Sequence, residues 1–212
     1  MVKNNLPTIA ILGAGKLGVV IAQLALAAGY DVRVAGSGTP DKIHLSLSVL
    51  APGAIAATSK EAIEAAEIVI LALPLGKYRS LPVEALAGKL VIDAMNYWWE
   101  VDGDRDELLG DYPSSSEMIQ AFLPTSRVVK AISHIGYHHL HDESRPQNDP
   151  ERKAIAIAGD KETDLETVAR FINAIGFDPL PIGPLSKGVL LEPGMPAFGA
   201  HTNRKTLRAM LS

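Results

Sequence analysis

The stretch TIAILGAGKLG, from Thr8 to Gly18, decides the fold of this chain. Four of its first five residues are apolar and three are β-branched, as in a buried strand. The residues after the stretch, VVIAQLALAAG (19–29), have the composition of a helix. Between these elements, Gly13, Gly15 and Gly18 have the spacing G-x-G-x-x-G. The first glycine allows a tight turn, the second lets the backbone approach a pyrophosphate, and the third lets the helix pack against the strand. This context favours a dinucleotide-binding loop over a glycine-rich structural turn.

Composition and charge limit the function further. With 212 residues, 47% of them apolar, the chain is long enough for one large domain, or one domain with a small appendage, around a packed core. It has no apolar run of the roughly 20 residues that span a bilayer, and MVKNNLPT lacks the apolar part of a signal peptide, so we expect a cytoplasmic protein with no membrane partner. The absence of cysteine excludes disulfides, thiol catalysis and cysteine-ligated metals. A net charge of −4 argues against nucleic acid as a partner.

Strands and helices alternate along the sequence. Six segments have the apolar, β-rich pattern of strands buried on both faces: 8–12, 31–36, 54–58, 67–74, 89–96 and 127–133. Capping boxes predict helix starts at Thr58, Ser114 and Thr163, and Gly29 and Gly176 predict helix ends. Repeated strand–helix–strand units predict an α/β fold of the Rossmann type, a doubly wound parallel sheet that binds NAD(P) at the carboxyl ends of its strands.

The sequence changes in character after His134. Residues 136–153 are polar and charged, which predicts a surface excursion or a lid. A smaller α/β extension follows, with a strand at 154–160, a helix at 164–176, a proline-rich edge strand or loop, and a terminal helix. We therefore predict a dinucleotide-binding domain at residues 1–153 and a small C-terminal unit at residues 154–212.

The preference for NAD or NADP depends on the turn after the second strand. An NAD-selective site has an acidic residue there, which accepts hydrogen bonds from the ribose hydroxyls. The turn presents instead the neutral Ser37 and Thr39, with Lys42 as a nearby cation, and this set suits the 2′-phosphate of NADP. In the alternative interpretation, Ser37 and Thr39 only form the turn and Lys42 is a solvated lysine. Asp41 weakens the argument for NADP.

Several motifs, in their order along the chain, resemble one known family. They are GAGKLG after a strand, AGS (35–37), ALP (72–74), VVKAISHI (128–135), and IAGDKET (157–163) followed by PLPIGPLSKGVLLE (179–192). Together they are similar to the NADPH-dependent reductases of the deazaflavin coenzyme F420, over nearly the whole chain. The same module is similar to the cytoplasmic reductase domain of the six-transmembrane metalloreductases of animals. The resemblance implies a homo-oligomer that binds NADP(H). It also implies a deazaflavin or flavin-like acceptor, which stacks on the nicotinamide in a cleft completed by the C-terminal unit.

The resemblance also implies roles for individual residues. The pyrophosphate loop comprises Gly13, Ala14, Gly15, Lys16, Leu17 and Gly18, the 2′-phosphate contacts are Ser37 and Lys42, and Leu73 and Pro74 lie beneath the adenosine and ribose. Residues 134–137 correspond to the nicotinamide wall and GPLSKGVLL (183–191) to the acceptor wall. By topology, Asn96 lies at the same edge of the sheet, because it follows the fifth strand. Two positions depart from the family: Gly38 replaces an arginine, and Tyr137 replaces a small apolar residue.

The chemistry of hydride transfer decides which catalytic residues are needed. The two rings have to be held about 3–3.5 Å apart in a dry pocket, and for a deazaflavin acceptor no catalytic acid is required. A carbonyl or imine acceptor needs a proton donor, for which His134 is the best catalytic candidate and Tyr137 a weaker one. The alternative is that His134 is a hydrogen-bonded wall residue.

Two other groups of side chains are open to more than one interpretation. The histidines 138, 139 and 141, beside Asp142 and Glu143, are of the types that ligate zinc or iron, but their charged loop favours a solvated surface cluster, and we predict no metal site. The aromatic run Tyr97–Trp99 is a stacking platform for a planar ligand, a dimer contact, or packing beneath its own loop.

Three functions follow from these observations. They are an NADPH-dependent oxidoreductase with a deazaflavin or flavin acceptor, a reductase of small carbonyls or imines, and a nonenzymatic NADP(H)-binding sensor. The lack of an obvious acid favours the first over the second, whereas the bulk of Tyr137, Trp98 and Trp99 argues against a tricyclic acceptor. We therefore expect an NADP-dependent oxidoreductase with a small-molecule acceptor.

Overall fold

Eight strands form one sheet in the computed structural model, which describes residues 6–212. They are β1 (Ile9–Leu12), β2 (Val32–Ala35), β3 (Ile55–Ala56), β4 (Ile68–Leu71), β5 (Leu90–Asp93), β6 (Arg127–Ala131), β7 (Ala154–Gly159) and β8 (Asp178–Gly183). Their order is β3-β2-β1-β4-β5-β6-β7-β8, so the strand order reverses between β1 and β4. A reversal of this kind is where open α/β sheets bind their ligands, beyond the carboxyl ends of the strands.

Helices connect the strands and cover the sheet. They are α1 (Lys16–Ala27), α2 (Asp41–Leu50), α3 (Ser59–Ala65), α4 (Val83–Leu86), α5 (Trp99–Asp102), α6 (Arg105–Leu109), α7 (Ser115–Phe122), α8 (Tyr137–Asp142), α9 (Glu162–Ala174) and α10 (Arg204–Met210), with 3₁₀-helices at Leu75–Ser80 and Leu185–Leu191. Within residues 6–212, every helix is too short or too polar to cross a membrane.

Successive side chains of β1 pack alternately into two hydrophobic layers, one on each face of the sheet. Ile9 and Ile11 pack in one cluster with Ile21 of α1, whereas Leu12 packs in a second cluster with Ile63 of α3. Since successive side chains of a strand point to opposite faces, β1 is buried on both sides. The α/β fold of the Rossmann type predicted from the sequence is confirmed.

The local signals for helix ends are confirmed with one exception. The Thr58 hydroxyl accepts a hydrogen bond from the Glu61 amide, and the Thr58 amide donates to the Glu61 carboxylate. Ser114 caps α7, and glycines 29 and 176 have the positive φ typical of residues just after a helix. The helix start predicted at Thr163 is wrong, because the N-cap of α9 is Lys161, two residues earlier, and the helix begins at Glu162. Helix α1 also begins earlier than its apolar run, at Lys16, so that Gly18 lies inside it.

The C-terminal strands extend the same sheet. β7 pairs antiparallel with β6, which corrects the expectation of an entirely parallel sheet, and β8 then pairs parallel with β7 as the edge strand. The excursion predicted at residues 136–153 contains α8, whose Leu140 is buried against the core. The boundary between residues 153 and 154 stays a prediction, and the sheet is continuous across it.

Candidate functional site

The glycine loop has three glycines in three different environments. A Cβ atom on Gly13, where φ is +128°, would lie 2.2 Å from the Ala72 carbonyl oxygen at the end of β4. A Cβ on Gly18 would lie 1.9 Å from the Gly13 carbonyl oxygen, so the first turn of α1 packs directly on the loop. A Cβ on Gly15 would meet nothing within 4 Å. Two of the glycines are therefore required for packing, and the middle one borders open space.

The open space at Gly15 lies at the start of α1. Gly15 is the N-cap of this 12-residue helix, it makes no side-chain capping bond, and the first turn contains no acidic residue. The first amides of a helix have no partner within the helix and carry the positive end of its dipole. This end of α1 is therefore suited to bind an anion such as a pyrophosphate. Lys16 is exposed beside it, and Ala14 and Leu17 are half-buried.

The turn after β2 lies next to this loop. The position of a Cβ on Gly36 is 3.7 Å from the Ala14 methyl group, and residues 37–39 are exposed. The Lys42 side chain lies across Gly38, with its Nζ 3.2 Å from the position of a Cβ there. The structure therefore brings the predicted residues Ser37, Thr39 and Lys42 together, with the ammonium group next to Gly38.

The ends of β4 and β5 supply the next predicted residues. The Leu73 amide nitrogen lies 2.9 Å from the position of a Cβ on Gly13, and the following Pro74 is exposed. Asn96 is half-buried beyond β5 and donates from Nδ2 to the Ser133 carbonyl at 2.6 Å. All of these residues lie at the carboxyl edge of the sheet, as the topology predicts.

Tyr137 lies beside the glycine loop. It is the first residue of α8, it is half-buried, and Lys16 Nζ lies 5.4 Å from the centre of its ring. The contact arises because α8 packs against α1. A phenol at this position narrows the space next to the pyrophosphate loop.

His134 is turned inward and is 1% exposed. Its Nε2 accepts the amide proton of Ala156 in β7 at 3.0 Å, and its own carbonyl accepts the Gly199 amide at 2.7 Å. Burial lowers the pKa of His134 from 6.5 to about 4, because the charged imidazolium loses its hydration, and a backbone hydrogen bond at Ala200 only opposes this change. At neutral pH the imidazole is therefore uncharged, and its Nε2 is bonded to β7 while the main-chain carbonyl of His134 is bonded to Gly199. This favours the role of a hydrogen-bonded wall residue over that of a proton donor.

A buried ion pair, which the sequence analysis missed, joins the ends of β5 and β6. Lys130 and Asp93 are both 0% exposed, and Lys130 Nζ lies 3.3 Å from Asp93 Oδ2. Lys130 also donates to the Met95 carbonyl at 2.6 Å, and Asp93 accepts from the Ser116 hydroxyl at 2.6 Å. Buried charges are stable only when they are paired and hydrogen-bonded in this way. The signal in the sequence was a charged residue among the apolar residues near the carboxyl end of each strand, Asp93 in β5 and Lys130 in β6.

This network continues into the acceptor wall predicted at residues 183–191. Ser115 donates from its amide and its hydroxyl to Glu192 Oε1, at 2.7 and 2.8 Å. The Glu192 carboxylate thus lies at the N-terminus of α7, where the helix dipole favours a negative charge. A Cβ on Gly188 would lie 3.2 Å from the Cβ of Lys130, so the 3₁₀-helix Leu185–Leu191 rests on the buried lysine. The ion pair therefore fixes the position of this wall.

An aromatic pocket lies beyond β5. It has a volume of about 330 Å³ and is lined by Tyr97, Trp98, Trp99, Glu100, Arg105, Glu192 and Pro193. Trp98 packs edge-on against Phe198 at 5.6 Å, and both tryptophans remain largely exposed, at 46% and 70%. Since Phe198 precedes the Gly199 that binds His134, the pocket lies close to the predicted nicotinamide wall. Packing beneath their own loop does not account for the exposed faces of the two tryptophans.

Comparison with known proteins supports this description. Residues 8–97 match the family described as NADP oxidoreductase, coenzyme F420-dependent. The metalloreductase STEAP3 of Rattus norvegicus is 29% identical over 193 residues, which are 90% of this chain. The chain spans 37% of the length of that relative.

Two solved structures share the fold over most of their length. A hypothetical protein from Sinorhizobium meliloti superimposes with a TM-score of 0.80 at 24% identity, covering 94% of this chain and 96% of the other. A protein from Arthrobacter described as an F420-dependent NADP reductase superimposes with a TM-score of 0.70 at 20% identity, covering 88% and 90%. At these identities the likeness establishes the fold.

Proposed function

We propose that this protein binds NADP(H) and transfers hydride between its nicotinamide and a planar deazaflavin or flavin acceptor, because residues 8–97 match the family described as NADP oxidoreductase, coenzyme F420-dependent. The observation that carries the proposal is the open space at Gly15, at the uncapped start of α1. A pyrophosphate fits there because no Cβ occupies the approach to the helix amides. The bound cofactor supplies the hydride, and the protein supplies position and exclusion of water.

Support for NADP rather than NAD comes from the turn after β2. Residues 36–40 include no carboxylate, and the Lys42 ammonium group folds back over Gly38. A 2′-phosphate next to the hydroxyls of Ser37 and Thr39 gains an ion pair with Lys42 and charge-assisted hydrogen bonds. Lys42 thus takes the place of the arginine that relatives have at position 38.

Support for a flavin-like acceptor comes from two features. His134, the best candidate for a proton donor, is buried and neutral, and its Nε2 is already an acceptor. This favours an acceptor that needs position rather than a protonated side chain. The bulk of Trp98 and Trp99 argued against a tricyclic acceptor in the sequence, but these side chains line an open pocket of about 330 Å³. Their exposed faces suit the stacking of a planar ring, and Arg105 suits pairing with an anionic group.

Oxidation of bound NADPH tests the acceptor directly. The enzyme is mixed in a stopped-flow instrument with deazaflavin, riboflavin, FMN, FAD, quinones and small imines, and absorbance of NADPH is followed. We expect rapid oxidation by the deazaflavin or a flavin, and slower oxidation in Trp98→Leu than in the wild type. Preferential turnover of an imine would overturn the assignment of the acceptor, and tight binding of NADPH with no turnover would indicate a sensor.

Cofactor preference is tested with Lys42→Ala. We expect the dissociation constant of NADPH to rise about tenfold, and that of NADH, which lacks the 2′-phosphate, to stay within about twofold. Both constants are measured by fluorescence titration. Equal changes for the two cofactors would remove Lys42 from the 2′-phosphate site.

A further inference from the structure

Three side chains meet on the surface of α8, outside the sites described above. His139 lies on α8, Glu143 is the C-cap residue of this helix four positions later, and His201 comes from the loop before α10. Glu143 Oε1 lies 3.2 Å from His139 Nδ1 and 3.0 Å from His201 Nδ1, and Glu143 Oε2 lies 3.3 Å from His201 Nδ1. We call this group the α8 cluster. It differs from the cluster considered from the sequence, because it shares only His139 and Glu143 with it and gains the distant His201.

Two imidazoles and one carboxylate are the protein ligands of many Zn²⁺ sites. Because each bond to a tetrahedral Zn²⁺ is about 2.0–2.1 Å long, two of its ligand atoms lie about 3.3 Å apart. The nitrogen–oxygen distances in the α8 cluster, 3.0 to 3.3 Å, match that separation. We propose that His139, Glu143 and His201 form a Zn²⁺ site with water as the fourth ligand.

One local rotation completes this geometry. The two imidazole rings are stacked with their centres 3.7 Å apart and their planes at 7°, whereas a metal ion lies in the plane of each imidazole that binds it. One of the two imidazole rings therefore has to rotate, so that a single metal ion can lie in the planes of both rings. The His201 side chain is 44% exposed and lies in a loop, so it has the space to turn, while His139 and Glu143 stay fixed by their i, i+4 spacing on α8. Zn²⁺ replaces the Nδ1 protons that the carboxylate accepts in the metal-free protein.

A Zn²⁺ ion at this site would hold the segment around His201, residues 199–202, against α8. Close to His201, the Thr202 carbonyl accepts the Ala154 amide at the start of β7, and Gly199 donates to the His134 carbonyl. The other two ligands lie on the helix that begins at Tyr137. Zn²⁺ thus links both ends of the predicted nicotinamide wall, at residues 134–137. The metal site itself does not depend on the proposed function.

Competition of the full chain with a chromophoric chelator for Zn²⁺ tests the proposal. We expect the wild type to bind one Zn²⁺ per chain, and the variants Glu143→Gln and His201→Ala to bind it at least about tenfold more weakly. His141→Ala and His138→Ala are matched controls, since both residues lie on α8 outside the cluster, and we expect them to keep the wild-type affinity. Far-UV circular dichroism checks that each variant is folded.

Thermal unfolding supplies a second readout. We expect Zn²⁺ to raise the melting temperature of the wild type and of His141→Ala, and to leave that of His201→Ala unchanged, because a ligand stabilises the state that binds it. Wild-type affinity in His201→Ala would overturn the site, since binding would then rest on the pair on α8 alone. Loss of binding in His141→Ala or His138→Ala would also overturn it, because the ligands would be the histidines adjacent in sequence. Either result would overturn only the Zn²⁺ site. The proposed function would still be tested separately, by NADPH binding and NADPH oxidation.

Discussion

Around the glycine loop the candidate site is made of backbone, whereas at the ends of β5 and β6 it is made of buried side chains. At the loop, Gly13 and Gly18 are in contact with carbonyl groups and Gly15 leaves the helix amides open. At the other region, Lys130 and Asp93 form a fully buried ion pair beneath the acceptor wall. The first region tolerates almost no added atom at two positions, and the second tolerates no unpaired charge. The two sides of one site are therefore disrupted by different changes, the first by added volume and the second by the loss of one charge.

The largest effect is expected from Lys130→Met, which leaves Asp93 buried without its cation. We expect a loss of about 3–5 kcal/mol in the free energy of unfolding, measured with urea and circular dichroism. The double variant Lys130→Met/Asp93→Asn removes both charges and should recover part of the loss. A change below about 1 kcal/mol in the single variant would contradict the structural role of the pair.

Gly18→Ala tests the packing of the loop. Its methyl group would lie 1.9 Å from the Gly13 carbonyl oxygen, so α1 has to shift away from the loop. We expect a loss of about 3 kcal/mol in unfolding free energy together with weaker NADPH binding. Wild-type stability in this variant would show that the loop relaxes freely, and the contrast with the side-chain region would disappear.

The titration of His134 gives an intermediate effect. Its pKa is about 4 in the folded protein and about 6.5 when unfolded, so the unfolded state binds a proton first as the pH falls. Its contribution to stability is therefore complete above pH 6.5 and is lost between pH 6.5 and pH 4. We expect the wild type to lose about 2 kcal/mol more between pH 7 and pH 5 than His134→Gln, which cannot be protonated. Parallel pH profiles for the two proteins would show that His134 is not held neutral.

Gly15→Ala should have the smallest effect on folding and a selective effect on binding. The backbone at Gly15, with φ of −78° and ψ of −173°, is open to alanine, and a Cβ there meets no protein atom within 4 Å. We expect unfolding free energy to change by less than about 0.5 kcal/mol and NADPH to bind about tenfold more weakly. Fluorescence titration measures the affinity. Unchanged NADPH binding would show that the cofactor does not occupy the open space at Gly15.

Predictions from the sequence were most accurate where short-range patterns determine the structure. The strand before Gly13, the turn at residues 36–40 and the caps at Thr58 and Ser114 all follow from neighbouring residues, and the structure has them. The cap at Thr163 was predicted wrongly from the same kind of pattern, because the N-cap of α9 is Lys161, two residues earlier. The antiparallel pairing of β7 was also missed, since strand direction depends on how the segment with α8 returns the chain to the sheet.

Other features of the site depend on residues that are distant in the sequence. The orientation of His134 is set by the Ala156 amide of β7, and the charge on Lys130 is compensated by Asp93 from the preceding strand. His201 contacts Glu143 although the two residues are 58 positions apart. The α8 cluster therefore forms only in the folded chain and is not visible as a run of histidines in the sequence.

The sequence by itself determined the α/β fold and the glycine loop, because the period of apolar residues and the small size of glycine act over a few neighbouring positions. The tertiary structure alone decided that His134 is buried and neutral and that Lys130 packs beneath the 3₁₀-helix Leu185–Leu191, the predicted acceptor wall. It also decided which of the histidines on α8 gains partners suited to a metal. These outcomes depend on desolvation and on hydrogen bonds between segments, and both are set only when distant parts of the chain pack together.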